Sequence, residues 1–297
     1  MQSLDEILDI GSRLVDNFKY DEAIEYFSKA IQLYPADPQA YDLKGITFFR
    51  LLRINDAIAE LNRSIACDPN FHLAYFHLAE VYMEQRDFAR AEDYCNKAFA
   101  MEPDNQLYWC TKAYIKLQLN ENAQCIELCN AILNFNPDNL DAVEYRANAY
   151  MNQKDFRRAI NDLEFLYGNT IQNSTVLNNL GYSYSKIGET SLSKKYLSTA
   201  IRLDPGFSFP YDNLGYVYIL EGDIKKAHEF IDKSIELDPT NSYAYKNKAL
   251  AYLKQNDSAN AIAALQKAKT LRFDLYYGEE VDLLLRRLTG DTGQDGH

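Results

Sequence analysis

Cys125 and Cys129, four residues apart, are the side chains in this sequence best spaced for chemistry. On a helix they would share a face, and two thiolates there could form half of a tetrahedral zinc site, with Cys95 as a third ligand. The competing reading is core packing, because Cys behaves as a small apolar residue when buried. Cys67 and Cys110 bring the total to five, an odd number without a Cys-x-x-Cys pair. That usage fits reduced thiols and a cytoplasmic location. Of the four histidines, His72 and His77 are five apart and miss the i, i+4 register of a metal pair, while His228 and His297 stand alone. No phosphate-cradling glycine loop, no HExxH helix and no serine elbow occurs. The expectation is a chain that is not an enzyme, with no catalytic residue, metal or cofactor.

The bulk properties narrow the partner. Hydrophobic residues make up 47% and charged residues 25% of the 297, a folded-protein balance. Net charge is −12, which repels phosphate backbones and anionic membranes at long range. Protein or peptide is therefore expected as partner, with no nucleic acid and no membrane. Met1 to Glu6 contains neither a basic nor an apolar region, so no signal peptide is expected there. No apolar run approaches the length of a membrane span. Few Gly (12) and Pro (8) favour helices joined by short turns.

Periodicity then supplies the elements. Prolines 35, 69, 103 and 137 recur every 34 residues, and Pro205 and Pro239 continue the same lattice with position 171 missing. Alanines 23, 57, 91, 159, 227 and 261 form a second lattice. Gly11, Gly45, Ala79, Ala113, Ala147, Gly181, Gly215 and Ala249 form a third without a gap. Within each period two amphipathic segments flank a turn, such as Gly222-Asp223. Small residues at the eighth and twentieth positions lie where paired helices cross, and a longer side chain would push them apart. Proline near the end cannot extend the second helix and so starts the next unit.

Windows beginning at residues 4, 38, 72, 106, 140, 174, 208 and 242 resemble the tetratricopeptide repeat. The fullest match is 208–241, with Tyr211, Leu214, Gly215, Tyr218, Ala227 and Pro239 on the family's pattern. The resemblance implies an all-α fold, a right-handed superhelical solenoid of helix pairs. It would run as one domain over 1–288, with repeats 4–37, 38–71, 72–105, 106–139, 140–173, 174–207, 208–241 and 242–275. Residues 278–288 are expected to form a capping helix and 289–297 a disordered tail. Two departures carry expectations of their own. Without its proline and with Gly168-Asn169-Thr170 in its place, repeat five should end its second helix early and loosen against repeat six. Lys116 stands where the family has a large apolar residue and is expected to snorkel to solvent.

The resemblance also implies that first helices line a concave groove that binds partners. The groove-facing positions include Asn148, Asn178, Asn179, Asn213 and Asn247, of which Asn179, Asn213 and Asn247 share one position 34 residues apart. An amide donates and accepts, so such a series could read an extended backbone, as the asparagine ladder does in the O-linked N-acetylglucosamine transferases. Phe76, Tyr114, Tyr145, Tyr182, Phe209, Tyr216 and Tyr243 interleave with the amides. Charge is uneven. Asp5, Asp9, Asp16, Asp42, Glu80, Glu84, Asp141 and Glu144 face Arg50 alone in repeats one to five. Asp212 stands with Lys186, Lys246 and Lys254 in repeats six to eight. A ligand with basic residues toward the N-terminal end would be favoured. The family's carboxylate clamp is not expected, because Lys246 at position five is followed by Leu250 at position nine. The function expected is an interaction scaffold or adaptor holding an extended peptide or protein segment. The alternative is a regulatory or assembly subunit that clasps a folded enzyme or self-associates as a homo-oligomer.

Overall fold

A computed structural model describes residues 2–170, 173–271 and 279–290. Among them are seventeen helices and no strand. They divide into two compact units, residues 1–152 and 153–297. The N-terminal unit holds α1 (Leu4–Asp16), α2 (Tyr20–Leu33), α3 (Pro38–Arg50), α4 (Ile54–Cys67), α5 (His72–Glu84), α6 (Phe88–Met101), α7 (Gln106–Gln118), α8 (Asn122–Phe135) and α9 (Leu140–Asn152). The C-terminal unit holds α10 (Phe156–Asn169), α11 (Ser174–Lys186), α12 (Thr190–Leu203), α13 (Phe209–Glu221), α14 (Ile224–Leu237), α15 (Ser242–Lys254), α16 (Ser258–Thr270) and α17 (Glu280–Thr289). First helices start at the expected window openings or within a residue of them. The last helix runs Glu280–Thr289, so Thr289, expected in the tail over 289–297, is helical; residues 291–297 of that tail, His297 among them, and residue 278 of the expected cap lie outside the described residues.

The period is written into the caps. Asp87, Asp155, Asp223 and Asp257 each precede a second helix and accept from the backbone N–H three residues on. Before first helices, Ser3, Asp37, Asn105, Asn139, Asn173 and Asn241 accept from a backbone N–H two or three residues on. The residue one step before each second-helix cap turns left-handed. It is Gly188 or Gly222 in two repeats and a non-glycine with φ between 57° and 62° in six. The prolines do more than stop helices. Their carbonyls accept from the aromatic six residues later: Tyr41 on Pro35, Tyr75 on Pro69, Trp109 on Pro103 and Tyr211 on Pro205.

Cores sit where the small lattices predict. Ala23, Ala57, Ala91, Ala113, Ala227, Ala249 and Ala261 are fully buried. A Cβ added at Gly45 would come within 2.8 Å of Leu61 Cγ, and one at Gly215 within 2.5 Å of Ile231 Cγ1. The helices cross too closely there for any side chain.

Two expectations are corrected. The second helix of repeat five, α10, runs to Asn169 and is as long, at 14 residues, as the other second helices up to α14. Leu163 and Leu166 are buried along α10, and the hydroxyl of Thr170 donates to the Leu166 carbonyl at 2.8 Å. A Cβ added at Gly168 would meet nothing within 4 Å, so this residue costs the helix only its intrinsic penalty, about 1 kcal/mol. Packing between α10 and α11 is like that between α12 and α13, not looser. Lys116 does not reach solvent either. It is 6% exposed and ion-paired with both Glu92 and Glu121, the latter at 2.7 Å. Burial opposes its charge, yet hydrogen bonds and attraction from those two carboxylates hold its pKa above the usual lysine value.

Candidate functional site

The sulfur cluster resolves as core. Cys125 and Cys129 are fully buried with sulfurs 3.9 Å apart. Cys125 and Cys95 point toward carbonyls of Tyr145 and Tyr108. Among the described residues no three His, Cys, Asp or Glu side chains form a metal-binding group. Burial pushes the Cys95 thiol up to about 11, so it is inert at neutral pH.

On the first helices of the N-terminal unit, the acidic series divides. Asp42 is buried and accepts from His77 Nδ1 at 2.8 Å, joining α3 to α5. Asp5, Asp9, Asp16, Glu84, Asp141 and Glu144 remain exposed, as does Arg50. Glu80 is half-buried. Burial raises its carboxyl pKa, against the lowering influence of His77 and Arg50. Tyr114 and Tyr145 lie 5.5 Å apart, and Asn148 is half-buried on α9. Phe76 packs inward against Tyr108 at 4.8 Å.

The C-terminal unit gathers most of the remaining predicted residues. Asn213 donates to Asn178 Oδ1 at 2.9 Å, and Asn178 donates to Asn179. Asn247, 6% exposed, donates to the Asp212 carboxylate at 3.0 Å. Asp212 is 1% exposed and also accepts from Asn241 at 2.9 Å and from Ser234. Burial raises its pKa to about 7, against these hydrogen bonds and the charge of Lys246. Lys246 pairs with Glu280 of α17 at 2.9 Å. Tyr182, Phe209, Tyr216 and Tyr243 are half-buried, with Phe209 edge-on to Tyr243 at 6.1 Å. Lys186 lies over Tyr216 and Tyr182, 4.0 and 5.0 Å from their centroids.

One rule links these bonds. The fifth residue of a repeat accepts from the sixth of the next: Asp42 with His77, Asn178 with Asn213, Asp212 with Asn247. In each case the partners are 35 residues apart. The sequence carried this signal as a polar residue at each of two adjacent positions, and reading one position at a time misses it. Of the amides singled out for a ligand, Asn178, Asn213 and Asn247 thus already join neighbouring repeats.

Models described as the tetratricopeptide repeat match residues 8–70, 72–105, 174–207, 208–241 and 230–263, together more than half of the chain. The chain belongs to the tetratricopeptide-repeat family. No curated protein matches it in sequence. Among solved structures it is similar to the APC/C hetero-tetramer Cut9-Hcn1, with 16% identity and a TM-score of 0.63, covering 96% of this chain and 55% of that one. It thus spans about half the length of that relative. It is also similar to pilF of Pseudomonas aeruginosa, with 16% identity, a TM-score of 0.60, and coverage of 68% and 92%. MamA of Desulfovibrio magneticus RS-1 gives 16% identity, a TM-score of 0.53, and coverage of 57% and 96%. These likenesses show an all-helical repeat fold. Family membership supports a protein–protein interaction scaffold in general terms. No helix among the described residues is long and apolar enough to cross a membrane.

Proposed function

We propose that this chain is an adaptor that holds a peptide or an extended protein segment along the first-helix faces of its repeats. The observation that carries the reading is the set of half-buried aromatics Tyr182, Phe209, Tyr216 and Tyr243 on α11, α13 and α15. Tyrosine and phenylalanine supply large contact area with few rotamers to freeze, which suits binding. Asn213, half-exposed beside them, has a second N–H and a carbonyl beyond its bond to Asn178. The exposed carboxylates of the N-terminal unit favour a ligand with basic residues on that side. The charge balance argues against nucleic acid as partner, and the thiols fit the cytoplasm.

Selection from a displayed random-peptide library, followed by calorimetry on the full chain, tests this. Replacing Phe209 and Tyr243 together by Ala should weaken selected peptides about ten-fold or more, with the helical circular dichroism unchanged. Retained affinity in that folded double variant would refute the first-helix reading.

A further inference from the structure

A lysine ammonium out of bulk water normally has a carboxylate beside it, because burying an unpaired charge is costly. The C-terminal unit follows the rule at Lys194 with Glu221, Lys246 with Glu280 and Lys248 with Asp232. Lys186 departs from it. It is half-buried at the end of α11, and no carboxylate among the described residues forms an ion pair with it. Two tyrosine faces stand in for the missing anion, Tyr216 at 4.0 Å and Tyr182 at 5.0 Å. Phe156 packs edge-on against Tyr182 at 5.7 Å and fixes that ring. Ring faces attract a cation less strongly than a carboxylate does, so the site is electrostatically incomplete.

We infer that Lys186, framed by Tyr182 and Tyr216, is the receptor for one anionic group, a carboxylate or a phosphate monoester, carried by the segment that binds this face. This deepens the adaptor reading and rests on it. The rings hold the ammonium in place before binding, so little rotamer freedom remains to be lost when the anion arrives. Burial, together with the charge of nearby Lys154, lowers the pKa of Lys186, with Glu280 opposing. An incoming anion would reverse that direction and favour the ammonium. The site differs from the carboxylate clamp of the family, whose lysine position is occupied here by Lys246 and already neutralised by Glu280.

The test uses the full chain with 13C-labelled tyrosine rings, titrated separately with acetate and with inorganic phosphate. Tyr216 ring signals should shift saturably with at least one anion, and the stronger arm tells carboxylate from phosphate. In Lys186→Gln the saturable shift should vanish, while Lys186→Arg should keep it. A Tyr216 shift no larger than that of exposed Tyr34, or one that persists in Lys186→Gln, would overturn the assignment. In the peptide selection, wild type should recover sequences with an Asp, Glu or free C-terminal carboxylate, and Lys186→Gln should bind them about ten-fold more weakly. Peptides bound equally by both proteins would overturn the anion receptor while leaving the adaptor reading intact. Loss of binding in Phe209→Ala with Tyr243→Ala reports on that reading separately.

Discussion

Replacing Asp212 by Asn isolates one buried charge. The carboxyl is enclosed by α13, α14 and α15 and receives Asn241, Asn247 and Ser234, with Lys246 the neighbouring cation. Burial dominates and places its folded-state pKa at about 7, against 3.8 for an unperturbed group. Between those values the folded chain keeps a proton that the unfolded chain releases. Stability from this group is therefore complete at acid pH, falls as pH rises toward 7, and is level above it. The three-unit displacement corresponds to about 4 kcal/mol as an upper bound. An amide side chain cannot ionise, and turning the Asn247 amide lets it accept from the introduced N–H. Urea unfolding of both proteins at about pH 5 and about pH 8, followed by far-UV circular dichroism, gives the difference at each pH. Because part of the change is already complete at pH 5, the variant should gain on the wild type by up to about 3 kcal/mol between them. A difference that is constant with pH, or that moves against the variant, would show that Asp212 is ionised throughout and that the burial argument fails.

Three further outcomes follow from the packing. Gly181→Ala should destabilise by about 2 kcal/mol in urea unfolding, although Ala is the better helix former, because its Cβ would lie 2.7 Å from Leu197 Cδ2. Leu52, at φ 59° and 74% exposed, should tolerate glycine with a gain of about 1 kcal/mol in thermal or urea unfolding, since only the left-handed strain is removed. Lys116→Met should cost no more than about 1 kcal/mol, because Glu92 and Glu121 are partly exposed and can rehydrate; a double-mutant cycle with Glu121→Gln measures the coupling.

The helix pairs were legible because the 34-residue lattices of Pro, Ala and Gly record steric demands that recur without change. Side-chain caps recur on the same period but not in every repeat, and because Ser, Asp and Asn substitute for one another there, they stay hidden unless read as one chemical class. Lys116 and α10 were misread for the same reason. The expectation came from one residue's departure, whereas the outcome was set by Glu92 and Glu121 in one case and by Leu163 and Leu166 in the other. Lys186 was legible as a groove-facing cation. Its two ring contacts were not, because Tyr216 lies a full repeat away and its distance depends on how α11 and α13 pack. The amides showed their chemistry in sequence, but their partners are 35 residues away.

The fifth-to-sixth bonds make adhesion between neighbours and recognition of a guest draw on the same atoms. A guest that claims the amide of Asn213 competes with Asn178 for it. Engagement at that rung removes one hydrogen bond between α11 and α13. That seam would then be held less tightly. Cargo that leaves the existing bonds in place would meet a stiffer one.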